Sequence, residues 1–329
     1  MKISVAMCTY NGAAYLSEQL ESFLRQTRLP DQLIVCDDKS TDETIEIIGE
    51  FARSAPFEIK VFVNENNLGP IKNFDKAISL CAGDVIALSD QDDVWHKDKL
   101  QIFEQVFSEM PRVGLVFCDA NLVDADLVRL GHSNWEQSKL DAKTQKLIRT
   151  EAALDYLLKK PLVWGCMAAF RAEFKEIVLP IPDDIPGVYH DYWISWLLSA
   201  VSCLEPIPKR LVEYRQHSAQ HLGQKIDSKA EPSSSKDNFI KQVESKYNFD
   251  DTITALTALS ERLELKGGRF ESENSIELVN SRLEHFINRR KILARDKKKL
   301  LLAAGELFTL RYRRHSSGLK SAAKDLFFG

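Results

Sequence analysis

Through the first 120 residues, short apolar runs alternate with stretches whose apolar residues recur every three to four positions. The continuous runs predict strands over 3–7, 33–36, 59–63, 85–88 and 113–117, each of the kind buried on both faces of a sheet. Between them, Leu16, Leu20, Phe23 and Leu24 fall on one helical face. Ile45, Ile47, Ile48 and Phe51 form a second such face, Phe74, Ala77, Ile78 and Cys81 a third, and 99–107 reads likewise. Ser40 with Glu43 has the form of a capping box, and Pro70 suits a first helical turn. Alternation of this kind implies an α/β fold, Rossmann-like, in which a mostly parallel sheet is flanked by helices.

Beyond Asp119 the periodicity loosens. Residues 131–146 are polar around an isolated Trp135 and read as a loop. Helical spacing returns over 153–158 and 172–178, on either side of a strand-like run over 162–170. Pro180, Pro182 and Pro186 break the chain before an apolar helix running from Trp193 to Val201. A last strand is predicted over 211–214. The polar, turn-rich stretch that follows reads as a linker, and nearly everything after it as helix. The expected division is a catalytic domain over 1–223, a linker over 224–238 and a helical, basic region over 239–329.

Composition narrows the class. With 329 residues, 44% hydrophobic and 28% charged, the chain has ample material for a core. No run of about twenty apolar residues occurs, so no transmembrane helix is expected. The N-terminus enters a strand at once, without the regions of a signal peptide. Six cysteines without C-x-x-C spacing read as buried thiols, and the expected location is cytoplasmic. The net charge of −4 hides an asymmetry: from Arg289 onward twelve Lys/Arg face three Asp/Glu, so the tail carries +9 and the remainder −13. An acidic body disfavours nucleic acid as a partner, while a basic tail suits an anionic surface, including the inner face of a membrane.

The candidate chemistry lies at the predicted strand ends. The 85–88 run leads directly into Asp90, Asp92 and Asp93. Three carboxylates so close repel one another, and a hard divalent cation, Mg²⁺ or Mn²⁺, relieves that repulsion. Thr9-Tyr10-Asn11, Asp37-Asp38 and Asn67-Leu68-Gly69 also follow strands or open helices. In open α/β sheets that edge binds ligands, and a nucleotide with a metal-bound diphosphate would suit it. Taken singly, each cluster is more often an ordinary turn.

Together these residues resemble a known family. Cys8-Thr9-Tyr10-Asn11-Gly12, Cys36-Asp37-Asp38-Lys39-Ser40-Thr41-Asp42, Asn67-Leu68-Gly69, Ala82-Gly83-Asp84 and Asp90-Gln91-Asp92-Asp93 look like family 2 glycosyltransferases of GT-A fold. His190-Asp191-Tyr192-Trp193 and Tyr214-Arg215-Gln216-His217 are similar to the rhamnosyltransferase-like branch. The resemblance implies nucleotide contact by Thr9, Tyr10, Asn11, Asn67 and Arg215, with Asp37 facing the base. It makes Asp90 and Asp92 the DXD metal pair, with His217 completing the metal shell. Asp191 would be the catalytic base, though an N-cap is the alternative on sequence grounds. Trp164-Gly165, His190 and Trp193 would approach the acceptor, and Trp95 would stack on a sugar; core packing is the alternative for each Trp.

The implied activity is an inverting, metal-dependent transfer of a sugar from dTDP-rhamnose or a UDP-sugar. The implied acceptor is a saccharide or lipid-linked glycan of bacterial surface polysaccharide. A sugar nucleotidyltransferase is the rival reading, disfavoured because residues 7–15 contain neither Arg nor Lys. A non-catalytic, membrane-associated sugar-nucleotide-binding protein is the other, disfavoured by the intact carboxylates.

Overall fold

The computed structural model describes residues 1–218, 249–270, 272–294 and 298–328. The predicted linker over 224–238, and the start of the helical region over 239–248, lie outside the described residues. The described chain forms two compact units: residues 1–183 with 188–218, and residues 184–187 with those from 249 onward.

The first unit begins β1 (Ile3–Thr9), α1 (Ala13–Leu24), β2 (Gln32–Asp37), α2 (Thr44–Ser54), β3 (Glu58–Val63), α3 (Pro70–Leu80) and β4 (Val85–Ser89). It continues through β5 (Val94–Trp95), α4 (Lys99–Glu109), β6 (Val113–Val123), β7 (Arg129–Ser133), α5 (Asn134–Ser138), α6 (Ala142–Ile148) and α7 (Ala153–Leu157). Then come β8 (Ala168–Arg171), α8 (Lys175–Val178), α9 (His190–Val201) and β9 (Cys203–Arg215). Nine strands form one sheet: eight follow the order β3-β2-β1-β4-β8-β6-β9-β5, and β7 pairs with β6 off that path. Parallel pairing joins β3, β2, β1 and β4, as the alternation predicts. From β8 onward the sheet is mixed: β8 runs antiparallel to both β4 and β6, while β6 and β9 are parallel. The result is the α/β sheet with flanking helices that the pattern implies.

Register brings the polar clusters to one edge. Thr9 pairs with Asp37 and Met7 with Ser89, so β1, β2 and β4 end side by side. Every residue of β2 and β4 is buried, which is why these strands read as continuous apolar runs. Edge strand β3 is half exposed and carries Glu58 and Lys60 in an ion pair, a charged edge that discourages further pairing.

Several local expectations change. Helix α2 starts at Thr44 without a capping box, because Ser40 Oγ donates to Asp37 and accepts the Asn11 N–H. The polar stretch over 131–146 is structured: it holds the end of β7, then α5 with a capping box of Ser133 and Glu136, then α6. Trp135 is buried against Phe117. The strand predicted over 162–170 is shortened to β8, preceded by a 3-10 turn over Gly165–Met167. Strand β9 is far longer than predicted, since its register slips between Ile207 and Arg210 and the slip accommodates Pro208.

The second unit contains α10 (Asp250–Lys266), α11 (Glu273–Leu293), α12 (Lys299–Phe308), α13 (Arg311–His315) and α14 (Leu319–Phe328). Leu256, Leu259, Leu263, Val279 and Ile292 are buried, but the interior is also polar. Arg289 donates to both oxygens of the fully buried Asp325 at 2.7 and 2.8 Å, and the Tyr312 hydroxyl donates to the same carboxylate. Nearby, His285 pairs with Glu306 at 2.5 Å and with Ser316 Oγ at 2.7 Å. Asp325→Ala would strand the Arg289 charge without its carboxylate. We expect it to destabilise this unit by about 3–5 kcal/mol, read as an earlier loss of helical signal in a urea melt. An unshifted melt would refute that role for the pair.

Candidate active site

A cavity of about 520 Å³ opens where β1, β2 and β4 end, closed on the other side by the start of α9 and the turn before β8. Thr9, Tyr10, Asn67, Asp90, Asp92, Trp164, Gly165, His190 and Asp191 all line it. Residues more than a hundred positions apart are thus brought into one cleft.

The nucleotide side is built by interlocked loops. Gln91 accepts the Tyr10 N–H at 2.8 Å and donates to the Tyr10 carbonyl at 3.0 Å, tying the β1 loop to the acidic loop. Gly12 permits this, because a Cβ there would lie 2.2 Å from Gln91 Oε1. Gly12→Ala must therefore displace Gln91 and free Tyr10, and a donor KM raised about tenfold with little loss of kcat is expected. An unaltered KM in steady-state assays would show that this tie does not shape the site. Asp38, also lining the cavity, accepts the N–H groups of Leu68 and Gly69 at 2.7 and 2.8 Å. That holds the turn at the head of α3, where Gly69 has φ +80°, a conformation that suits glycine.

Five expected contacts lie elsewhere, and a sixth residue, His217, reaches the site only through Asp92. Asp37 is fully buried, its carboxylate taken by Thr9 Oγ1, Ser40 N–H and the Ser40 hydroxyl; its neighbour Asp38 reaches the cavity instead. Asn11 occupies the left-handed region at φ +47° and accepts the Thr41 N–H, so it shapes a turn. Arg215 is buried and has its donors engaged by the carbonyls of Asp92 and Ala125 and by Glu18. It braces the acidic loop, and its guanidinium stacks 4.5 Å from the Tyr15 ring. Trp95 packs edge-on against Phe23, with the Lys99 ammonium 3.4 Å from its ring centre. Trp193 is in the core, its indole N–H bonded to the Val178 carbonyl. His217 stands behind the lining, Nε2 2.9 Å from Asp92 Oδ2 and its ring 4.5 Å from Tyr15.

The acidic loop is strained electrostatically. Burial, and then the charges of Asp92, Asp93 and Asp191, push the Asp90 carboxyl well above the usual carboxylate range. Burial and the neighbouring Asp92 likewise raise Asp93 to about 7. Asp93 Oδ1 accepts the Arg215 N–H at 3.1 Å, which orients it inward. Candidate donor atoms of Asp90, Asp93 and Cys166 lie within 4.8 Å of one another. Burial keeps the Cys166 thiol protonated, however, so the ionisable donors here are carboxylates. Oxygen donors crowded to the point of mutual repulsion fit a hard divalent cation. Among the described residues lining the cavity none is Lys or Arg.

Across from this loop, Asp191 occupies the first turn of α9, whose N-cap is Tyr189, so capping is not its task. Its carboxylate accepts N–H bonds from Gly165 at 3.1 Å and Tyr192 at 2.9 Å, which fix its orientation. Burial nevertheless raises its pKa to about 7. Beside it, His190 stacks on Phe74 at 3.9 Å and is pushed down to about 3 by burial, so its ring is neutral. Gly165 is needed here as well, since a Cβ would lie 2.6 Å from His190 Nε2.

The sequence matches the family model "Glycosyl transferase family 2" over residues 4–178, more than half the chain. It is 29% identical over 243 residues to the dTDP-rhamnosyl transferase RfbG of Shigella flexneri, covering 68% of this chain and 76% of that one. It is 34% identical over 139 residues to the abequosyltransferase RfbV of Salmonella typhimurium, covering 41% of each chain. The chain spans 66%, 76% and 59% of the lengths of three curated relatives, from Nostoc, Shigella flexneri and Mycobacterium bovis. Among solved structures, S. aureus TarS 1-349 in complex with UDP-GlcNAc is similar in fold, with a TM-score of 0.57 and 18% identity. That match covers 88% of this chain and 73% of TarS 1-349. With the sheet, the cleft at its strand ends and the family match in agreement, the chain belongs to glycosyl transferase family 2.

Proposed function

We propose that this cleft binds a nucleotide-diphosphate sugar and transfers the sugar with inversion to a hydroxyl of a saccharide or lipid-linked acceptor. The observation that carries the reading is Asp191, a buried carboxylate oriented by two backbone N–H groups and facing the cavity that also holds Asp90 and Asp92. In this reading the acceptor oxygen attacks the anomeric carbon as Asp191 takes its proton. The bond to the diphosphate oxygen breaks, and its electron pair leaves with the nucleotide. One displacement inverts the centre. Thr9, Tyr10 and Asn67 contact the nucleotide, while Trp164, Gly165 and His190 face the transferred sugar and the acceptor.

Asp90 and Asp92, with His217 beside Asp92, are the residues to hold Mg²⁺ or Mn²⁺. When bound, that cation supplies positive charge against the charge developing on the departing diphosphate. The lining offers no basic side chain among the described residues for the same purpose. The name of the Shigella flexneri relative supports dTDP-rhamnose as donor, and the ligand of TarS supports a UDP-sugar.

The test is incubation with Mn²⁺ and a panel containing dTDP-rhamnose and UDP-hexoses, assayed for acceptor-dependent release of free dTDP or UDP. Release of pyrophosphate instead would favour nucleotidyl transfer, and donor binding without turnover would favour a non-catalytic binder. The pH profile is a second check. Asp191 works ionised, so with its pKa raised to about 7, kcat/KM should fall about tenfold per unit below that pH and level off above it. A profile flat from about pH 5 to 8 would remove Asp191 from the base role.

A further inference from the structure

Helix α12 buries a carboxylate and leaves part of its apolar surface exposed. Its buried side carries Glu306, which bonds to His285 at 2.5 Å, Asn288 at 2.8 Å and Arg311 at 3.2 Å. Part of its apolar surface faces outward: Leu300, Leu301 and Phe308 are 70%, 73% and 90% exposed, while Ala303 is buried and Leu302 and Leu307 are half-buried. Leu301, Ala304, Gly305 and Phe308 have the i, i+3, i+4, i+7 spacing of a single face, so the exposed stripe is continuous along the helix. Leu310, just past its end, and Leu319, at the start of α14, are also exposed.

Within residues 298–328 the exposed charge is one-sided for a structural reason. The acids within 298–328 are Glu306 and Asp325, and both are buried in ion pairs. The bases Lys298, Arg313, Arg314, Lys320 and Lys324 are exposed. Folding therefore removes negative charge from the surface of this segment and leaves positive charge beside exposed Leu and Phe. Burial of the acids is a stronger fact than the basic composition of the tail, because it decides which charges a partner meets.

We propose that α12 and the turns after it form a docking surface for an anionic phospholipid bilayer. The leucines and Phe308 enter the acyl boundary while the lysines and arginines meet lipid phosphates. Long exposed apolar side chains beside bases of one sign are what an interfacial helix needs. A nucleic acid would use the bases but leave the leucines in water. The proposal stands apart from the catalytic reading, since none of its residues is among those lining the cleft.

The test is co-sedimentation of the full chain with phosphatidylcholine vesicles containing about 30% phosphatidylglycerol, against pure phosphatidylcholine. Binding to the anionic vesicles, weakened by salt, is expected. Leu301→Glu with Phe308→Glu should reduce partitioning about tenfold or more, and Arg313→Gln with Arg314→Gln should reduce it several-fold. All four side chains are exposed, so helical content and melting should stay unchanged, and circular dichroism checks this. Absence of binding to the anionic vesicles, or binding that neither pair of substitutions weakens, overturns the proposal. So does a concentration-dependent dimer in light scattering that Leu301→Glu disperses without any vesicle binding; the stripe would then be covered by a second copy.

Discussion

Asp191→Asn is expected to leave the donor's dissociation constant within about threefold of its original value while lowering turnover by about 10²- to 10⁴-fold, the range a general base contributes. The asparagine keeps the shape, and its single oxygen still accepts one of the two N–H bonds that Gly165 and Tyr192 donate to the carboxylate. What it loses is the ability to take a proton. Thr9, Tyr10 and Asn67 line the other side of the cavity and are untouched, so nucleotide binding has no reason to change. The split between kcat and donor affinity separates a base from a residue that merely supports the start of α9, whose loss would move both. The fall in kcat/KM below pH 7 should vanish in the residual activity, because burial raises Asp191 into that range. Retained turnover at the original rate would end the assignment.

The sequence exposes some parts of this site and conceals others, and the difference is physical. Strands β1, β2 and β4 are buried on both faces, so their apolar runs are visible without any partner. The carboxylates after β4 are visible for the same reason, since they interrupt a run at its end. The choice between Asp37 and Asp38 is not visible. Asp37 is the last residue of β2 and turns its side chain to Thr9 and Ser40, while Asp38 lies just past the strand and faces the cavity.

Arg215 misleads because an arginine after a strand suggests phosphate. Its partners, Ala125 and Glu18, stand 90 and 197 positions away, and only the folded chain shows that its donors are taken. Trp95 and Trp193 follow the same rule: a ring beside candidate chemistry has two equally good destinations, and here both entered the core. Gln91 had a signal that spacing alone undervalues. It stands between two carboxylates and does not repel them, and that is where a neutral tie between loops belongs.

Asp92→Ala is expected to reduce turnover to below about 1% and to raise the Mn²⁺ concentration needed for half-maximal activity at least about 100-fold, the scale on which metal sites respond to altered coordination. Asp92 lines the cavity with one oxygen against His217, whereas Asp93 spends an oxygen on the Arg215 N–H and points inward. The two neighbours should therefore behave differently. Asp92→Asn can keep the 2.9 Å contact with His217 but not the charge; if it is as impaired as the alanine, charge toward a cation is what Asp92 supplies. Asp93→Asn can still accept the Arg215 N–H through its amide oxygen and loses a carboxyl already pushed toward its neutral form, so its metal response should change far less. Calorimetric titration of Mn²⁺ into each variant with UDP or dTDP present measures this without turnover. An Asp92→Ala protein whose Mn²⁺ affinity matches the unmodified chain would place the cation elsewhere, and an Asp93→Asn protein that loses it entirely would move the ligand one residue along the loop.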